Sequence, residues 1–440
     1  MRIRSPALFS SLMILTGVSA AAVADAPKTL SPKQRAANLE SFELVWKTIR
    51  DKYYDPTVRG LDWKAIHEQY RPRLEKATSM AEARQVLREM IGRLGQSHFN
   101  IVSSDVYQEI TRNGRSVSAN DGTVGLEVRV IGGHALVTQV TEGLPAAKRG
   151  VKPGWEILRI DGQALAAGLG KIAASYKKSS LLQLHLSRAV TRKLQGAPGA
   201  KTTVVFLDGQ NHETTLSVPF AEPKGTRFKL GYLPAFYTYL ETHQEKPNIV
   251  YIALNAFFDP MNIMKAFAKA VTSDLKADGV VLDLRGNPGG IGGMAMGIGS
   301  WFISRPDQKL GTMKLRSGTI HFILNPRLET FDGPLAILVD GCSASTSEIL
   351  AGGLQDLKRA RIFGTRTAGA ALPSVFERLP NGDGFQYAIA DYISTGGKRL
   401  EGEGVHPDVE VQPSRQALLA GHDPPLEAAL EWIRSQKKPR

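Results

Sequence analysis

The sequence predicts an α/β protein in which helices precede a sheet of buried parallel strands. Two apolar runs, Gly279–Leu284 and Leu335–Val339, have the composition of strands that are covered on both faces. A helical pattern connects an earlier strand, Asn248–Asn255, to the first of these runs, and this order favours parallel pairing with a right-handed crossover. Apolar residues at helical spacing over Ser31–Leu94 predict helices ahead of the sheet.

The length of the chain, 440 residues, predicts two or three domains. We expect a helical N-terminal domain at 25–117, a second domain at 118–222 and the α/β core at 223–440. With 42% hydrophobic and 22% charged residues, the composition is typical of soluble globular proteins.

Residues 1–24 have the pattern of a secretory signal peptide. Arg2 and Arg4 provide the positive start, Ala7–Val18 is apolar but too short to favour a membrane-spanning helix, and Ala22–Ala24 resembles a cleavage site. The mature chain is then expected to begin at Asp25 without a stable membrane span. This pattern predicts a bacterial periplasmic or secreted protein.

Charge and cysteine content exclude some functions. The formal net charge is +13, but the basic residues are dispersed and form no long run, so nucleic-acid binding is not favoured. A basic surface could instead favour acidic partners or anionic membrane surfaces. Cys342 is the single cysteine, which excludes an intramolecular disulfide and a cysteine-rich metal site. Its position in a turn favours a buried small residue over a thiol nucleophile.

The most informative stretch is Pro334–Gly369. After its strand comes a small polar turn, and Ser345 and Glu348 then have the spacing of a capping box at the start of a helix. Such a strand–turn–helix exposes a hydroxyl group beside free backbone N–H groups. Taken alone, the pattern fits a helix N-cap at Ser345 as well as a nucleophile, and no G-x-S-x-G motif is present.

Four segments resemble the C-terminal processing peptidases (tail-specific proteases) and their tricorn-like relatives, and they occur in the same order as in that family. The first to be recognised is GCSASTSEILAGGLQDLKRARIFGTRTAG, which resembles the family's nucleophile segment. The others are Leu94–His98 (LGQSH), Gly279–Gly290 (GVVLDLRGNPGG) and Gly402–Asp408 (GEGVHPD). The resemblance implies a serine endopeptidase that acts on proteins or peptides, a crotonase/Clp-protease-like β-α spiral core, and no metal or cofactor.

One departure from the family pattern changes the expected catalytic residues. The processing peptidases proper use a Ser–Lys dyad, but Ala370 stands where the lysine would be. Tricorn-like members use serine, histidine and glutamate instead. By this resemblance Ser345 is the nucleophile, His98 the general base, and Glu401 the carboxylate that orients His98 directly or through a hydroxyl group. Glu403 is the alternative carboxylate.

The resemblance also implies an oxyanion hole. Its backbone N–H donors would be Thr346 and either Gly289 or Gly290, because glycine permits close approach to a substrate. The glycine-rich segment around them, Arg285–Gly293, has neither G-x-G-x-x-G spacing nor the GK[ST] of a phosphate loop.

The second domain resembles a PDZ domain. The segment Gly143–Trp155 resembles the PDZ helix and turn, and Gly122–Leu126 resembles the carboxylate-binding edge, with Gly125 and Leu126 as candidate peptide-binding residues. PDZ domains capture extended peptides by strand addition. Leu165–Leu194 is expected to be a helical insertion, followed by two strands within Thr202–Val218. A purely structural role for this domain is the alternative.

The sequence leaves two other interpretations of the site open. The first is an inactive peptide- or ligand-binding protein on the same fold, which the alanine at position 370 supports. The second is a dyad with another cation such as Lys398, since the guanidinium of Arg366 stays protonated and is a poor base. In any of these cases the site combines distant parts of the chain, so domain movement or an activating partner protein could switch the activity of the site on or off.

Overall fold

The structure of the protein, a computed structural model, describes residues 30–103, 122–177, 179–229 and 236–436. The predicted signal peptide, its cleavage site and the predicted boundary near residue 117 therefore lie outside the described residues. Within the described ranges, no helix is both long enough and apolar enough to cross a membrane.

The N-terminal region is helical, as predicted. Its elements are α1 (Pro32–Lys52), a 3₁₀ turn (Val58–Gly60), α2 (Trp63–Glu75), α3 (Met80–Gly92) and a short strand, β1 (Asn100–Val102). Ser31 caps α1 through a capping box with Gln34, which satisfies N–H groups that the first helical turn leaves free. The helices share one apolar core, which includes Phe42, Ile49 and Leu87.

A second unit surrounds an antiparallel sheet in the order β3-β4-β5-β8-β9, with β6 beside β5. Its elements are β2 (Gly122–Thr123), β3 (Leu126–Ile131), β4 (His134–Val140), α4 (Pro145–Lys148), β5 (Glu156–Ile160), β6 (Gln163–Ala164), α5 (Leu165–Ser175), α6 (Leu182–Lys193), β7 (Gln195–Gly196), β8 (Lys201–Leu207) and β9 (Glu213–Pro219). The expected helical insertion is therefore the pair α5 and α6, and α6 packs beside β3 at the edge of the sheet.

The remaining described residues form the α/β core. Its elements are β10 (Thr226–Phe228), β11 (Phe236–Thr238), β12 (Leu240–Glu245), β13 (Ile249–Leu254), α7 (Pro260–Thr272), β14 (Gly279–Asp283), α8 (Gly293–Gly299), β15 (Gln308–Leu315), β16 (Gly318–Leu324), β17 (Leu335–Val339), α9 (Thr346–Asp356), β18 (Arg361–Gly364), β19 (Ser374–Arg378), β20 (Gly384–Ala388), β21 (Ala390–Ser394), β22 (Val409–Glu410), α10 (Arg415–Leu419) and α11 (Pro424–Ser435).

The central sheet has the order β12-β13-β14-β17-β18-β22, and all its neighbours except β12 and β13 are parallel. Leu282 lies opposite Ile337 in the register, and every residue of β14 and β17 is buried. Helices α7, α8 and α9 cover one face, while α11 covers the other with Leu430 and Ile433. The strand–helix–strand prediction is confirmed, and the continuous apolar runs reflect strands buried on both faces.

Strands β19 and β20 form a hairpin. In the turn after β21, the Ser394 N–H donates to Lys398 C=O, but pairing is limited to one bridge between Ile393 and Arg399. The first arm, β21, pairs with the longer β15 instead, which offers more ladder hydrogen bonds than the short return segment.

The helical region is joined to the core at the β19–β20 hairpin. Strand β1 pairs with β20 in antiparallel orientation, and Arg84 of α3 forms an ion pair with the fully buried Asp383, with 3.0 Å between Nε and Oδ2. Removing one partner of a buried pair leaves a charge without compensation.

We expect Arg84→Ala to lower the free energy of unfolding of the helical region by about 3–5 kcal/mol, because Asp383 stays buried. Urea denaturation followed by tryptophan fluorescence measures this change. The matched control is Lys64→Ala, whose exposed pair with Glu68 spans 3.9 Å and should contribute no more than about 1 kcal/mol. Equal effects of the two substitutions on the free energy of unfolding would show that the buried ion pair does not stabilise the contact between the helical region and the core.

Candidate active site

Ser345 stands at a strained turn between β17 and α9. Its backbone has φ 57° and ψ −116°, a conformation that residues other than glycine rarely adopt and that costs about 1–3 kcal/mol. Such strain persists where surrounding contacts enforce it. Here the Asp340 carboxylate accepts the N–H groups of Cys342 and Gly286, at 2.9 Å each, and so ties the turn to the glycine-rich segment.

A buried carboxylate also holds the backbone of Ser345. Glu348, fully buried in α9, accepts hydrogen bonds from the N–H groups of Ser345 (2.9 Å), Gly369 (2.7 Å) and Ala370 (2.9 Å), and from the hydroxyl group of Thr367. Burial raises the pKa of Glu348 to about 7, although these donors favour the carboxylate. The segment that lacks the family lysine is thus fixed to the nucleophile helix by Glu348.

Two backbone N–H groups are available near Ser345. Among the described residues, the N–H groups of Gly290 and Thr346 have no hydrogen-bond partner, whereas that of Gly289 donates to Asn287 Oδ1 at 2.9 Å. Of the two predicted glycine donors, Gly290 is therefore free and Gly289 is not. The Thr346 hydroxyl group bonds Gly290 C=O at 2.9 Å, which keeps the two free donors on neighbouring segments.

Asn287 holds these two segments together. Its side chain donates to Leu254 C=O (2.6 Å) and accepts the Gly289 N–H, while its own C=O accepts the Ala344 N–H and the Ser347 hydroxyl group at 3.0 Å each. The residue is fully buried. These four hydrogen bonds connect β13, the glycine-rich segment and the nucleophile turn.

Gly289 makes this approach possible. Its φ is 90°, and a Cβ atom at this position would lie 2.7 Å from both Ser345 Cβ and Thr346 N. No side chain fits at that distance, so the backbone of the glycine-rich segment can lie directly against the nucleophile only with glycine.

His98 reaches the site from the helical region through a relay of hydrogen bonds. The Ser97 hydroxyl group lies 2.6 Å from His98 Nδ1 and 2.8 Å from Glu401 Oε2, and the Ser97 N–H donates to Glu401 Oε1 at 2.7 Å. Glu401 is buried and also accepts the Ala371 N–H at 3.0 Å. Glu401 thus contacts His98 through a hydroxyl group, the second of the two arrangements that the sequence left open.

The relay assigns the tautomer of His98. A hydroxyl group has one proton, and Ser97 donates it to the Glu401 carboxylate, so Ser97 Oγ must accept a proton from His98 Nδ1. Nε2 then carries the lone pair that can act as a base. Glu403, the alternative carboxylate, is exposed and pairs with Arg366 at 3.8 Å instead.

The environment of His98 keeps its imidazole neutral. Burial, with a smaller contribution from the positive charge of Arg188, lowers its pKa to about 4 from the ordinary 6.5. Among the described residues no hydrogen bond joins His98 to Ser345. The structure therefore brings His98 together with Ser97 and Glu401, and Ser345 together with Gly290 and Thr346, as two separate hydrogen-bonded groups.

Helix α6 of the second unit covers the nucleophile turn. Leu184 packs in an apolar cluster with Cys342, Ala344, Ala368 and Ala370, so an apolar side chain occupies the surroundings of the position where the family has lysine. Cys342 is buried as predicted, and burial raises the pKa of its thiol, as befits an inert side chain.

The other candidates for catalytic cations lie elsewhere. Lys398 pairs with Asp356, at the opposite end of α9 from Ser345, with 3.3 Å between Nζ and Oδ1. Arg366 donates to the C=O groups of Gly402 and Glu403. In the described ranges no cluster of His, Cys, Asp and Glu side chains could hold a metal ion.

Sequence reasoning missed three residues of the site. Ser97 gave a signal, since it directly precedes the candidate base, and Asn287 lies inside the glycine-rich segment that was singled out. Arg188, whose charge reaches His98, belongs to a helix of another unit and gave no signal in the sequence.

Comparisons with known proteins agree with this architecture. Residues 248–411 match the model of Peptidase family S41, and residues 34–92 match that of the Tricorn protease C1 domain. Carboxyl-terminal-processing peptidase 3, chloroplastic, of Arabidopsis thaliana is 27% identical over 417 residues, which cover 92% of this chain and 73% of the relative. The carboxyl-terminal-processing protease of Synechocystis sp. is 28% identical over 400 residues, which cover 88% of this chain and 85% of the relative.

Solved structures show the same fold. A photosystem II D1 C-terminal processing protease matches with a TM-score of 0.58 and 22% identity, covering 90% of this chain and all of that one. Mature CPAF matches with a TM-score of 0.62 and 14% identity, covering 92% and 99% of the two chains. The mixed α/β fold with a helical N-terminal region is therefore that of such proteases.

Together these matches define a serine peptidase. Residues 248–411 are similar to peptidase family S41 and residues 34–92 to the tricorn protease C1 domain, so the resemblance to C-terminal processing peptidases with tricorn-like features is confirmed. The substrates of the chain are accordingly proteins.

We expect Ser97→Ala to lower kcat of peptide hydrolysis about 10- to 100-fold, because a hydrogen bond to a charged group contributes about 1.5–3 kcal/mol. The substitution removes the only contact of His98 with the Glu401 relay among the described residues. Steady-state kinetics measures the change, with Ser435→Ala at the exposed end of α11 as the control. An unchanged kcat would show that the relay does not orient the base.

The pKa of His98 predicts the acidic limit of activity. A histidine that acts as general base must be neutral, so if His98 has the role predicted from the sequence, with a pKa of about 4, the rate of serine labelling should fall only below about pH 5. Arg188→Gln removes a nearby positive charge and should move this limit to higher pH, whereas Lys193→Gln, on the same helix, should not. A parent midpoint at or above pH 6.5 would contradict the buried, neutral His98.

Proposed function

We propose that the chain is a periplasmic serine endopeptidase that works with a Ser–His–Glu arrangement, and that Ser345, His98 and Glu401 carry the reaction. The observation that supports this most is the relay from Glu401 through Ser97 to His98 Nδ1, which leaves Nε2 as the free base. A lysine is then not needed, which accounts for the alanine at position 370.

In the proposed mechanism His98 Nε2 takes the proton from Ser345 Oγ as the hydroxyl group attacks the peptide carbonyl. The N–H groups of Gly290 and Thr346 bind the oxyanion, with about 3–4 kcal/mol of transition-state stabilisation per donor in known cases. His98 next gives its proton to the leaving amine, and a water molecule hydrolyses the acyl-enzyme by the same steps. The mechanism requires His98 and Ser345 to come within hydrogen-bond reach when substrate binds.

The second unit is proposed to be a PDZ-like module for substrate capture. Strand β3 lies at the edge of its sheet, and Gly125, with φ 86°, precedes it. The Gly125 N–H donates to Thr123 Oγ1 at 3.1 Å and its C=O accepts the Thr141 N–H at 2.9 Å, so of the two predicted peptide-binding residues Leu126 would present its backbone groups to the end of an extended peptide, as in strand addition. A crotonase-type spiral for the core, and division of the mature chain at about residues 117 and 222, belong to the same proposal.

The proposal includes the location and the regulation of the protein. The predicted signal peptide at Met1–Ala24 supports export to the periplasm or beyond. Because the base comes from the helical region and the nucleophile from the core, an activating partner protein or a bound substrate could bring them together.

A fluorophosphonate probe tests the proposal on the mature chain, Asp25–Arg440. We expect the parent to label, Ser345→Ala not to label at all, and His98→Ala to label and to cleave peptides at least about 10³-fold more slowly. Loss of either residue should cost a similar amount in cleavage, since the two act as one unit. His212→Ala, on an exposed turn, is the matched control.

The labelling results distinguish the alternative interpretations of the site. Labelling of His98→Ala at the parental rate would show that another group is the base. No labelling of the parent, alone or with substrate present, would overturn the proposed activity.

A further inference from the structure

The loop that carries His98 is not held by backbone hydrogen bonds. In the part of the chain that the structure describes, neither the N–H nor the C=O groups of Gln96, Ser97 and His98 bond another backbone group. The backbone of His98 has φ 61°, in the left-handed region that residues other than glycine rarely adopt. Such a conformation persists only where surrounding contacts enforce it, so contacts of side chains fix this loop.

One of these contacts is the relay from Glu401 to Ser97, and the neighbouring residue, Gln96, has contacts of its own. Its Oε1 accepts the hydroxyl group of Tyr53, and its Nε2 donates to the hydroxyl oxygen of Tyr54 at 2.8 Å. The two tyrosines directly follow α1, and Tyr53 is fully buried. Gln96 therefore fixes the loop to the end of α1 independently of the relay.

Tyr54 connects this contact to the core. Its hydroxyl oxygen also accepts a hydrogen bond from Arg399 Nη2 at 3.0 Å, and Arg399 Nε donates to Asp391 Oδ2 of β21 at 2.7 Å. The Tyr54 oxygen thus accepts two hydrogen bonds, the number that its lone pairs allow. These contacts form the Arg399 network, which runs from Asp391 through Arg399 and Tyr54 to Gln96, two residues before His98.

The Arg399 network and the Ser97 relay start from the same segment of the core. Leu400, which separates Arg399 from Glu401, packs in the apolar core of the central sheet, whereas its two neighbours reach the loop. The segment thus holds two consecutive loop residues, one through a tyrosine and one directly. A single contact would leave the loop free to pivot, and the second contact removes that freedom.

Arg399 also acts on Glu401 through its charge. Burial raises the pKa of Glu401, while the hydrogen bonds from Ser97 and Ala371 and the smaller effect of the Arg399 charge oppose this rise. The relay requires an ionised Glu401, because both carboxylate oxygens accept hydrogen bonds from Ser97. Arg399 therefore favours the charge state of Glu401 that orients His98.

We propose that Gln96, Tyr54 and Arg399 are positioning residues for the reaction, and that their network keeps the backbone of His98 in the place from which its ring can reach Ser345. This inference rests on the proposed function, in which His98 is the base. The two supports have different tasks. The relay through the neighbouring hydroxyl group orients the imidazole ring, and the Arg399 network fixes the loop that carries the ring.

The sharpest variant is Tyr54→Phe, which removes one hydroxyl group and with it both hydrogen bonds that the oxygen accepts. Its matched control is Tyr387→Phe. The Tyr387 hydroxyl group donates to Glu377 Oε1 at 2.7 Å, and Lys52 of α1 lies 2.9 Å from the same oxygen, so this contact also joins the helical region to the core. Within the described ranges, none of its members bonds the His98 loop.

We expect Tyr54→Phe to lower kcat of peptide hydrolysis about 3- to 30-fold at unchanged KM, the size of effect that one or two lost hydrogen bonds support. Gln96→Ala should have at least the same effect, and both substitutions together no more than Gln96→Ala alone, because they break one network. Arg399→Lys keeps the charge but cannot hold both of its partners, so it should retain part of the rate. Tyr387→Phe should retain the parental kcat.

Combination of each variant with His98→Ala gives a readout that a merely structural contact would not change. If the network acts through the base, Tyr54→Phe should have no further effect on the slow residual cleavage once the imidazole is absent. An equal loss in the presence and absence of His98 would overturn the positioning role. A loss of kcat with Tyr387→Phe as large as with Tyr54→Phe would do the same, since both contacts would then only join the helical region to the core.

The same variants distinguish the two proposals. Parental cleavage by Tyr54→Phe, together with a loss of cleavage in His98→Ala, would overturn the role of the Arg399 network and leave the serine peptidase mechanism intact. Parental fluorophosphonate labelling and cleavage by His98→Ala would instead overturn the proposed base. Urea denaturation shows whether each variant is folded, and where Tyr54→Phe is not, Arg399→Lys decides the question through the same combination with His98→Ala.

Discussion

The site depends on two buried carboxylates that accept hydrogen bonds from the backbone of one short segment, Gly369–Ala371. Glu348 accepts the N–H groups of Gly369 and Ala370, and Glu401 accepts that of Ala371. Glu348 also binds the backbone of Ser345, while Glu401 binds Ser97 beside the candidate base. The segment therefore connects the nucleophile turn of the core with the end of the helical region.

Burying two carboxylates is costly unless each oxygen finds donors, and both residues meet that condition. The donors are mainly backbone N–H groups, which cannot rotate away as side chains can, so the carboxylates define the path of the segment. The same arrangement explains how the site tolerates Ala370. Its N–H group bonds Glu348, its methyl group packs beside Leu184, and neither contact requires an amine.

The sequence predicted the parts whose signals are local. Buried strands such as Leu335–Val339 are continuous apolar runs, and the capping-box spacing from Ser345 to Glu348 marked the start of a helix that the structure has. The parallel pairing of the strands followed from the strand–helix–strand order along the chain. These features depend on residues that are close together in the chain. The sequence pattern alone could therefore predict them.

Other parts of the site depend on which groups meet in space. Nothing in the glycine-rich segment tells which glycine N–H is free, because the Asn287 side chain decides it by binding Gly289. The contact from Ser97 to Glu401 joins residues 304 positions apart, and Arg188 comes from the second unit. The sequence motifs predicted chemical roles for individual residues, but they could not predict these hydrogen bonds.

The separation of the site into two hydrogen-bonded groups has a physical consequence. Ser345 is held rigidly by its strained turn, whereas His98 is anchored through Ser97 to the helical region, whose apolar core is distinct from that of the central sheet. The distance between Ser345 and His98 is then set by how two packed bodies lie against each other, which a small shift can change without breaking either core. In the proposed mechanism, contacts of a substrate with α6 would therefore affect the site, because that helix packs against the nucleophile turn and carries Arg188, whose charge lowers the pKa of His98.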